Sequence, residues 1–278
     1  MTTQIANGTF DLTGRVAVIT GGAGLLGKQH AAAIASAGGT VVMADICLER
    51  AQQAASQIER EFSVRASGMQ LDITKEDDIC TFRDQVLAKF GHIDILINNA
   101  ANNPKVENDS GKNFTRLENF PLSQWDADLA VGLTGAFLCS RVIGVEMARR
   151  HKGVIVNVAS DLAVIAPDQR IYRQPGVAEE NQPVKPVTYS VVKTALIGLT
   201  RYLATYWADA GVRVNSISPG GVFAGQHEAF VEQVEHRIPL GRMAQPDEYR
   251  GAILFLCSDA SSYMTGANLV IDGGRSCW

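Results

Sequence analysis

The 278-residue chain has no run of Lys and Arg, and its net charge of -4 with a pI near 5.8 leaves no basic field for nucleic acid or an anionic lipid surface. No apolar run reaches membrane-spanning length, and the amino-terminal stretch MTTQIANGTFDLTGR has no basic segment followed by an apolar one. Neither a membrane nor a nucleic-acid partner is expected, and the expected location is cytoplasmic. The five cysteines (Cys47, Cys80, Cys139, Cys257, Cys277) are odd in number, scattered, and without a CxxC pair or a shared rhythm with the five histidines. Reduced thiols and no metal site follow. No repeat period and no low-complexity linker divides the chain.

What is present is a 46% hydrophobic composition, enough for one full core. Apolar, β-branched runs recur at 15–20, 40–45, 93–99, 153–160, 212–218 and 268–272. They are nearly continuous rather than alternating, the mark of strands buried on both faces. Helical patterns lie between them at 26–38, 48–62, 75–91, 123–151 and 189–211. The alternation predicts an α/β fold: one Rossmann-like, doubly wound parallel sheet flanked by helices, in a single domain over 1–278. The exception is 161–186, rich in Pro, Gln, Glu and Arg and without a sustained period, expected as a substrate-side insertion.

The first strand runs into TGGAGLLG, in which Gly22, Gly24 and Gly27 match G-x-G-x-x-G between a strand and an alanine-rich helix. In that context the loop brings backbone N–H groups to a pyrophosphate at the positive end of a helix, and Gly21, Gly24, Leu25, Leu26 and Gly27 are the expected contacts. A purely structural strand-to-helix turn is the alternative. Asp45 ends the second strand, where a carboxylate accepts both adenosine-ribose hydroxyls and repels a 2′-phosphate. With Ile46 beside it, this favours NAD over NADP, although Arg50 nearby complicates the phosphate argument.

Tyr189 and Lys193 stand at i and i+4 on the helix expected after Pro186, so a phenol and an ammonium share one face. Free tyrosine titrates near pH 10, so ionisation near neutrality needs a shift of roughly 3 units, about 4 kcal/mol. Lys193 with an oxidised nicotinamide ring is the expected source. Ser160, at the carboxyl end of VIVNVAS, places a hydroxyl where open α/β sheets bind ligands.

With these motifs in order, the chain resembles the short-chain dehydrogenase/reductase family over nearly its whole length. The markers are TGGAGLLG, Asp45, LDIT with Asp72 and Ile73 by the adenine, NNAA with Asn99, Ala100 and Ala101, then Ser160, Tyr189/Lys193, SPGG with Pro219, Gly220, Gly221 and Val222, and IDGG. The resemblance implies NAD(P)-dependent alcohol oxidation or carbonyl reduction, with Tyr189 as acid/base, Lys193 holding ribose hydroxyls and Ser160 orienting the substrate. It also implies a homo-oligomer, a dimer or tetramer, pairing the two long helices, with the tail ANLVIDGGRSCW at a second interface. The spacing TGxxGxxG is that of the family's extended, sugar-nucleotide branch, whereas everything downstream follows the compact branch, so the chain is expected as a compact enzyme with a variant loop. Gly132 departs from the family's usual Asn, whose backbone carbonyl holds a water touching the lysine. Glycine keeps a carbonyl, so Gly132→Asn is expected to leave activity within about tenfold. It also lacks the side chain that steadies a helix irregularity, at about 1 kcal/mol for a mid-helix glycine.

Ser160 and Tyr189 are 29 positions apart, so the insertion emerges beside the reacting carbon. In it, Arg170 and Arg173 are candidates to clamp a carboxylate or phosphate, Asp161 to accept sugar hydroxyls, and Tyr172 to contact substrate; a solvated surface loop is the competing reading of each. The insertion, PGGVFAGQ and the tail look similar to dehydrogenases encoded with bacterial surface-polysaccharide and nonulosonic-acid pathways, which suggests a polar, sugar-like substrate. Two rivals stand beside an NAD-linked dehydrogenase of such a substrate: a sugar-nucleotide epimerase or dehydratase retaining its NAD, and a catalytically silent NAD-binding scaffold.

Overall fold

The computed structural model describes residues 8–102 and 114–278; part of the amino-terminal stretch read above for a leader lies outside them. The chain order is β1 (Val16–Thr20), α1 (Leu25–Ser36), β2 (Thr40–Asp45), α2 (Leu48–Phe62), β3 (Ala66–Gln70), α3 (Glu76–Phe90) and β4 (Ile95–Asn98). There follow the long helix α4 (Leu122–Arg149), β5 (Gly153–Val158), α5 (Val187–Tyr206), β6 (Val212–Pro219), α6 (Glu228–Glu235), α7 (Arg250–Cys257) and β7 (Asn268–Ile271). The seven strands form one sheet in the order β3-β2-β1-β4-β5-β6-β7, all neighbours parallel. The order reverses between β1 and β4, which opens a crevice beyond their carboxyl ends.

Successive strand residues alternate between the two faces, and both faces are covered. Ala17 and Ile19 of β1 pack with Ala31–Ala35 of α1, Ala54 and Ile58 of α2, and Ile253 and Leu256 of α7. Val16 and Val18 pack on the other side with Phe82 of α3, Ile143 of α4 and Leu203 of α5. That double burial explains why these strands read as unbroken apolar runs.

The expected strands and long helices are present with ends moved by a few residues. The structure adds three elements: β3, whose ASGMQ lacks β-branched residues, and the short helices α6 and α7. β3 exists because α2 lies directly on it; a β-carbon at Gly68 would stand 2.2 Å from the Ala51 carbonyl carbon. The expectation that no apolar run reaches spanning length needs correcting. Helix α4 is long and apolar enough by length and composition, but it packs against the sheet and over half of its most apolar window is buried.

The 161–186 insertion carries three short 3-10 turns and a small core of its own. Ile171 packs with Val234, Ile238 and Met243, and Tyr172 lies 5.6 Å from Phe230, ring to ring. Asp168 pairs with Arg237 at 2.7 Å, and Gln182 closes the loop on Gln174 and Val177. It is a packed, ion-paired wall and not a solvated loop.

Candidate active site

The crevice at the switch between β1 and β4 is a cleft of about 400 Å³. Gly21, Gly24, Leu25 and Leu26 form its near wall, Asp45, Ile46 and Arg50 one end, and Asp72 and Ile73 the side beyond β3. Asn99, Ala100 and Ala101 close it from β4. Gly27 lies behind the lining and sets the loop's closeness: a β-carbon there would stand 2.4 Å from the Gly21 carbonyl oxygen. Gly21 itself has a φ of 60°, in the left-handed region, with Ala100 pressed against it.

This cleft fits a dinucleotide by its donor set. Gly24 caps α1 without any side-chain hydrogen bond, so the first-turn N–H groups remain open to a phosphate. Asp45 is buried at the end of β2, its two oxygens accepting from the backbone N–H groups of Ala23 at 3.3 Å and Cys47 at 3.2 Å. Leu71, Thr74, Asn102 and Val131 also line the cleft, although no motif marks them. Asn99 is braced by its amide to the Thr20 and Gly21 carbonyls, and beneath it Asn98 and Asn157 join β4 to β5 and on to Thr200 of α5.

From the cleft, Ala101 and Asn102 lead into a small hollow bounded by Gly132, Tyr189, Val192 and Lys193. Pro186 ends the insertion and caps α5, which sets Tyr189 and Lys193 one turn apart on the inward face. The Tyr189 hydroxyl lies 3.4 Å from Ser160 Oγ, and buried Lys193 donates to the Val158 carbonyl at 2.7 Å. Thr188 is anchored to Asp128 of α4 at 2.5 Å. The structure thus brings Ser160, Tyr189, Lys193 and Gly132 together beside the cleft.

Burial pushes the Tyr189 phenol above its usual value, eased by the Ser160 hydrogen bond and reinforced by the nearby Asp161 charge. Burial, with the neighbouring Lys185 charge, pushes Lys193 down to about 8. Lys193 is not among the groups that shift the phenol here, and the expected lowering called on an oxidised nicotinamide ring beside it. Lys185, which no motif marks, is a further neighbour: its Nζ stands 3.7 Å above the Tyr189 ring, and burial pushes it down to about 8. A lysine four positions before the tyrosine, just outside the helix, is the signal the sequence carries.

Gly132 sits in a π turn, Ala130–Thr134, inside α4. The irregularity thus forms without the family's Asn. A β-carbon at Gly132 would stand 2.5 Å from Val192 Cγ1.

The other candidates are engaged in contacts of their own. Arg170 pairs with Asp168 and is 77% exposed, and Arg173 pairs with Glu179; both are held in local ion pairs. Tyr172 is held against Phe230, with burial pushing its phenol up to about 12. Asp161 is buried with its oxygens already engaged: Oδ1 accepts from Ser160 Oγ and Leu162 N–H at 2.8 Å each, and Oδ2 from Arg275 at 2.8 Å. Pro219 ends β6, while Gly220 and Gly221 line a separate hollow of about 140 Å³ and Val222 bridges to Ala244.

A doubly wound sheet with a glycine-rich cleft and an adjoining Ser/Tyr/Lys set defines a nicotinamide-dependent oxidoreductase fold. The family model described as short chain dehydrogenase matches residues 15–172, and one described as enoyl-(acyl carrier protein) reductase matches 176–276. The chain is 34% identical to a D-threitol dehydrogenase of Mycolicibacterium smegmatis, covering 95% of this chain and 94% of that one. It is 35% identical to an NAD-dependent glycerol dehydrogenase of Listeria innocua, over 95% of each. Among solved structures, a gluconate 5-dehydrogenase from Burkholderia cenocepacia, in complex with NADP and tartrate, superposes with a TM-score of 0.82 at 28% identity, covering 98% of this chain and 99% of that one. The chain belongs to the short-chain dehydrogenase/reductase family and is an enzyme acting on CH–OH groups. The extended-branch reading of TGGAGLLG is not favoured: the described residues form one sheet in a single domain, and these relatives are dehydrogenases.

Proposed function

We propose that the chain catalyses NAD-linked interconversion of a secondary alcohol and a ketone on a small polyol or other sugar-like substrate. The observation that carries this reading is the approach of the Tyr189 hydroxyl to Ser160 Oγ, with buried Lys193 one turn on and the dinucleotide cleft adjoining. In oxidation, Tyr189 takes the substrate hydroxyl proton while Ser160 holds the same oxygen. Lys193 holds the ribose hydroxyls, and Gly132 offers its carbonyl to a relay water. Oxidised NAD, when bound, supplies the hydride acceptor and a positive charge that favours the phenolate. The relatives named for threitol, glycerol and gluconate support the substrate class.

NAD is the preferred cofactor, because buried Asp45 would face the 2′-phosphate of NADP. The relatives' names include both cofactors, so the preference rests on that carboxylate. The 161–186 insertion walls the substrate side, within one domain over 1–278. The protein works in the cytoplasm as a homo-oligomer, most simply a tetramer: Tyr202 and Tyr206 of α5 are stacked on each other yet 63% and 66% exposed. Sedimentation as a monomer at micromolar concentration would overturn that assembly.

The test is a screen of NAD- and NADP-linked absorbance with alditols, aldonates, glycerol and sugar phosphates. Turnover with one polyol or sugar acid, abolished in Tyr189→Phe but with NAD affinity retained, is expected. Full activity of Tyr189→Phe would overturn the mechanism, and Lys193→Ala should lose both turnover and NAD affinity.

A further inference from the structure

Ser160 has one hydroxyl hydrogen, and in this structure it goes to Asp161 Oδ1 at 2.8 Å. Its lone pairs meanwhile face the Leu162 N–H at 3.2 Å and the Tyr189 hydroxyl at 3.4 Å. While a carboxylate holds that hydrogen, Ser160 cannot donate to a substrate oxygen. How firmly it is held depends on how much free charge Asp161 carries. Arg275 answers that charge from the far end of the chain: its Nη1 is 2.8 Å from Asp161 Oδ2, and the two side chains are 9% and 4% exposed. The turn that presents Arg275 is itself fixed, since the Asp272 carboxylate accepts the N–H groups of Gly274 at 3.0 Å and Ser276 at 2.8 Å.

We propose that Arg275 is a positioning residue for the reaction: its buried ion pair with Asp161 weakens the carboxylate's hold on the Ser160 hydrogen, so that a substrate oxygen can compete for it, and lessens the carboxylate's opposition to ionisation of Tyr189. This rests on the assignment of Ser160 and Tyr189 above. The groups around the Tyr189 phenol come from several elements: Ser160 and Asp161 after β5, Tyr172 in the insertion, Lys185 before α5, Lys193 on α5 and Asp128 across the hollow on α4. Of these, Asp161 reaches the phenol through a single hydroxyl, so the state of its charge weighs most directly on Tyr189. Removing Arg275 leaves a negative charge two hydrogen bonds from the phenol, which disfavours phenolate and raises the Tyr189 midpoint. Removing the charge of Asp161 has the opposite sign. Removing both cancels.

The test reads tyrosinate absorbance in stopped-flow pH jumps, fast enough to precede alkaline unfolding, with NAD present. The Tyr189→Phe counterpart of each protein is subtracted to isolate Tyr189. Arg275→Met is expected to raise its midpoint by about one unit, a tenfold change in the ionisation constant. Asp161→Asn is expected to lower it, Arg275→Met/Asp161→Asn to return it close to the native value, and Arg275→Lys to leave it there. A merely structural role predicts instead that both single variants move the midpoint in the same direction or leave it unmoved, and either result overturns the proposal. If Arg275→Met fails to fold, Asp161→Asn decides alone: an unmoved or raised midpoint refutes. Turnover persisting in Tyr189→Phe would strike the mechanism and not the Arg275–Asp161 coupling, which this titration reads independently.

Discussion

Restoring the family's Asn at Gly132 tests why this chain dispenses with it. The π turn around Gly132 already stands, and its carbonyl is in place, so nothing in the backbone calls for the side chain. Packing does forbid it: a β-carbon at Gly132 would come within 2.5 Å of Val192 Cγ1, and Val192 is buried between Tyr189 and Lys193 on α5. Carbon atoms pack favourably at roughly 3.5–4.0 Å, so either Val192 or α4 must move. Two effects oppose each other. Replacing a mid-helix glycine gains a few tenths of a kcal/mol of helix propensity, whereas overfilling a packed site costs about 1–3 kcal/mol. Overpacking wins, and Gly132→Asn is expected to destabilise by about 1–2 kcal/mol, a fall of several degrees in melting temperature. Turnover should fall beyond the tenfold that the conserved carbonyl alone would suggest, because the displaced Val192 sits between the two residues that must stay aligned. The assay is a cycle of thermal unfolding and turnover on the native protein, Gly132→Asn, Val192→Ala and the double variant. Val192→Ala opens the space, so the double should recover at least about 1 kcal/mol over the sum of the singles. Strict additivity, with Gly132→Asn melting at the native temperature, would refute the steric argument.

Other outcomes follow from buried groups. His30 is fully enclosed in α1, and burial pushes it down to about 4, against about 6.5 for the free side chain. Between those values the unfolded chain binds a proton that the folded chain refuses, so stability is full above pH 6.5 and declines as pH falls toward 4, by about 3 kcal/mol for this group. Denaturant midpoints against pH should show that decline, and His30→Leu should flatten it; an unchanged slope would remove His30 as its source. Asp45→Ala should narrow the NAD-over-NADP ratio of kcat/KM by at least about tenfold, about 1.4 kcal/mol, and an unchanged ratio would take Asp45 out of cofactor choice. Burial pushes the thiols of Cys139 and Cys257 up to about 12, whereas Cys277 is exposed. Native protein should therefore release Cys277 to a thiol reagent first and withhold Cys139 and Cys257 until unfolded.

Much of this protein is legible in its sequence. The continuous apolar runs announced strands covered on both faces, because a parallel sheet between two helical layers has no polar side to alternate with. Gly24, Asp45, Ser160, Tyr189 and Lys193 could be read as well, since each is tied to a strand end or a helix turn whose position the local pattern sets. The rest depended on contacts between distant segments. β3 has little strand propensity and exists because β2 and α2 hold it. Arg170 and Arg173 looked available for an anion until folding supplied Asp168 and Glu179 as partners. Asp161 looked free for a sugar hydroxyl until the C-terminal turn brought Arg275 against it across 114 residues. Gly132 read as a lost asparagine, and only the approach of α4 to α5 showed that Val192 fills its place. Local patterns fix where a backbone turns and which way a side chain faces. Which charges meet, and which volumes are already taken, is settled when segments far apart in the chain pack together.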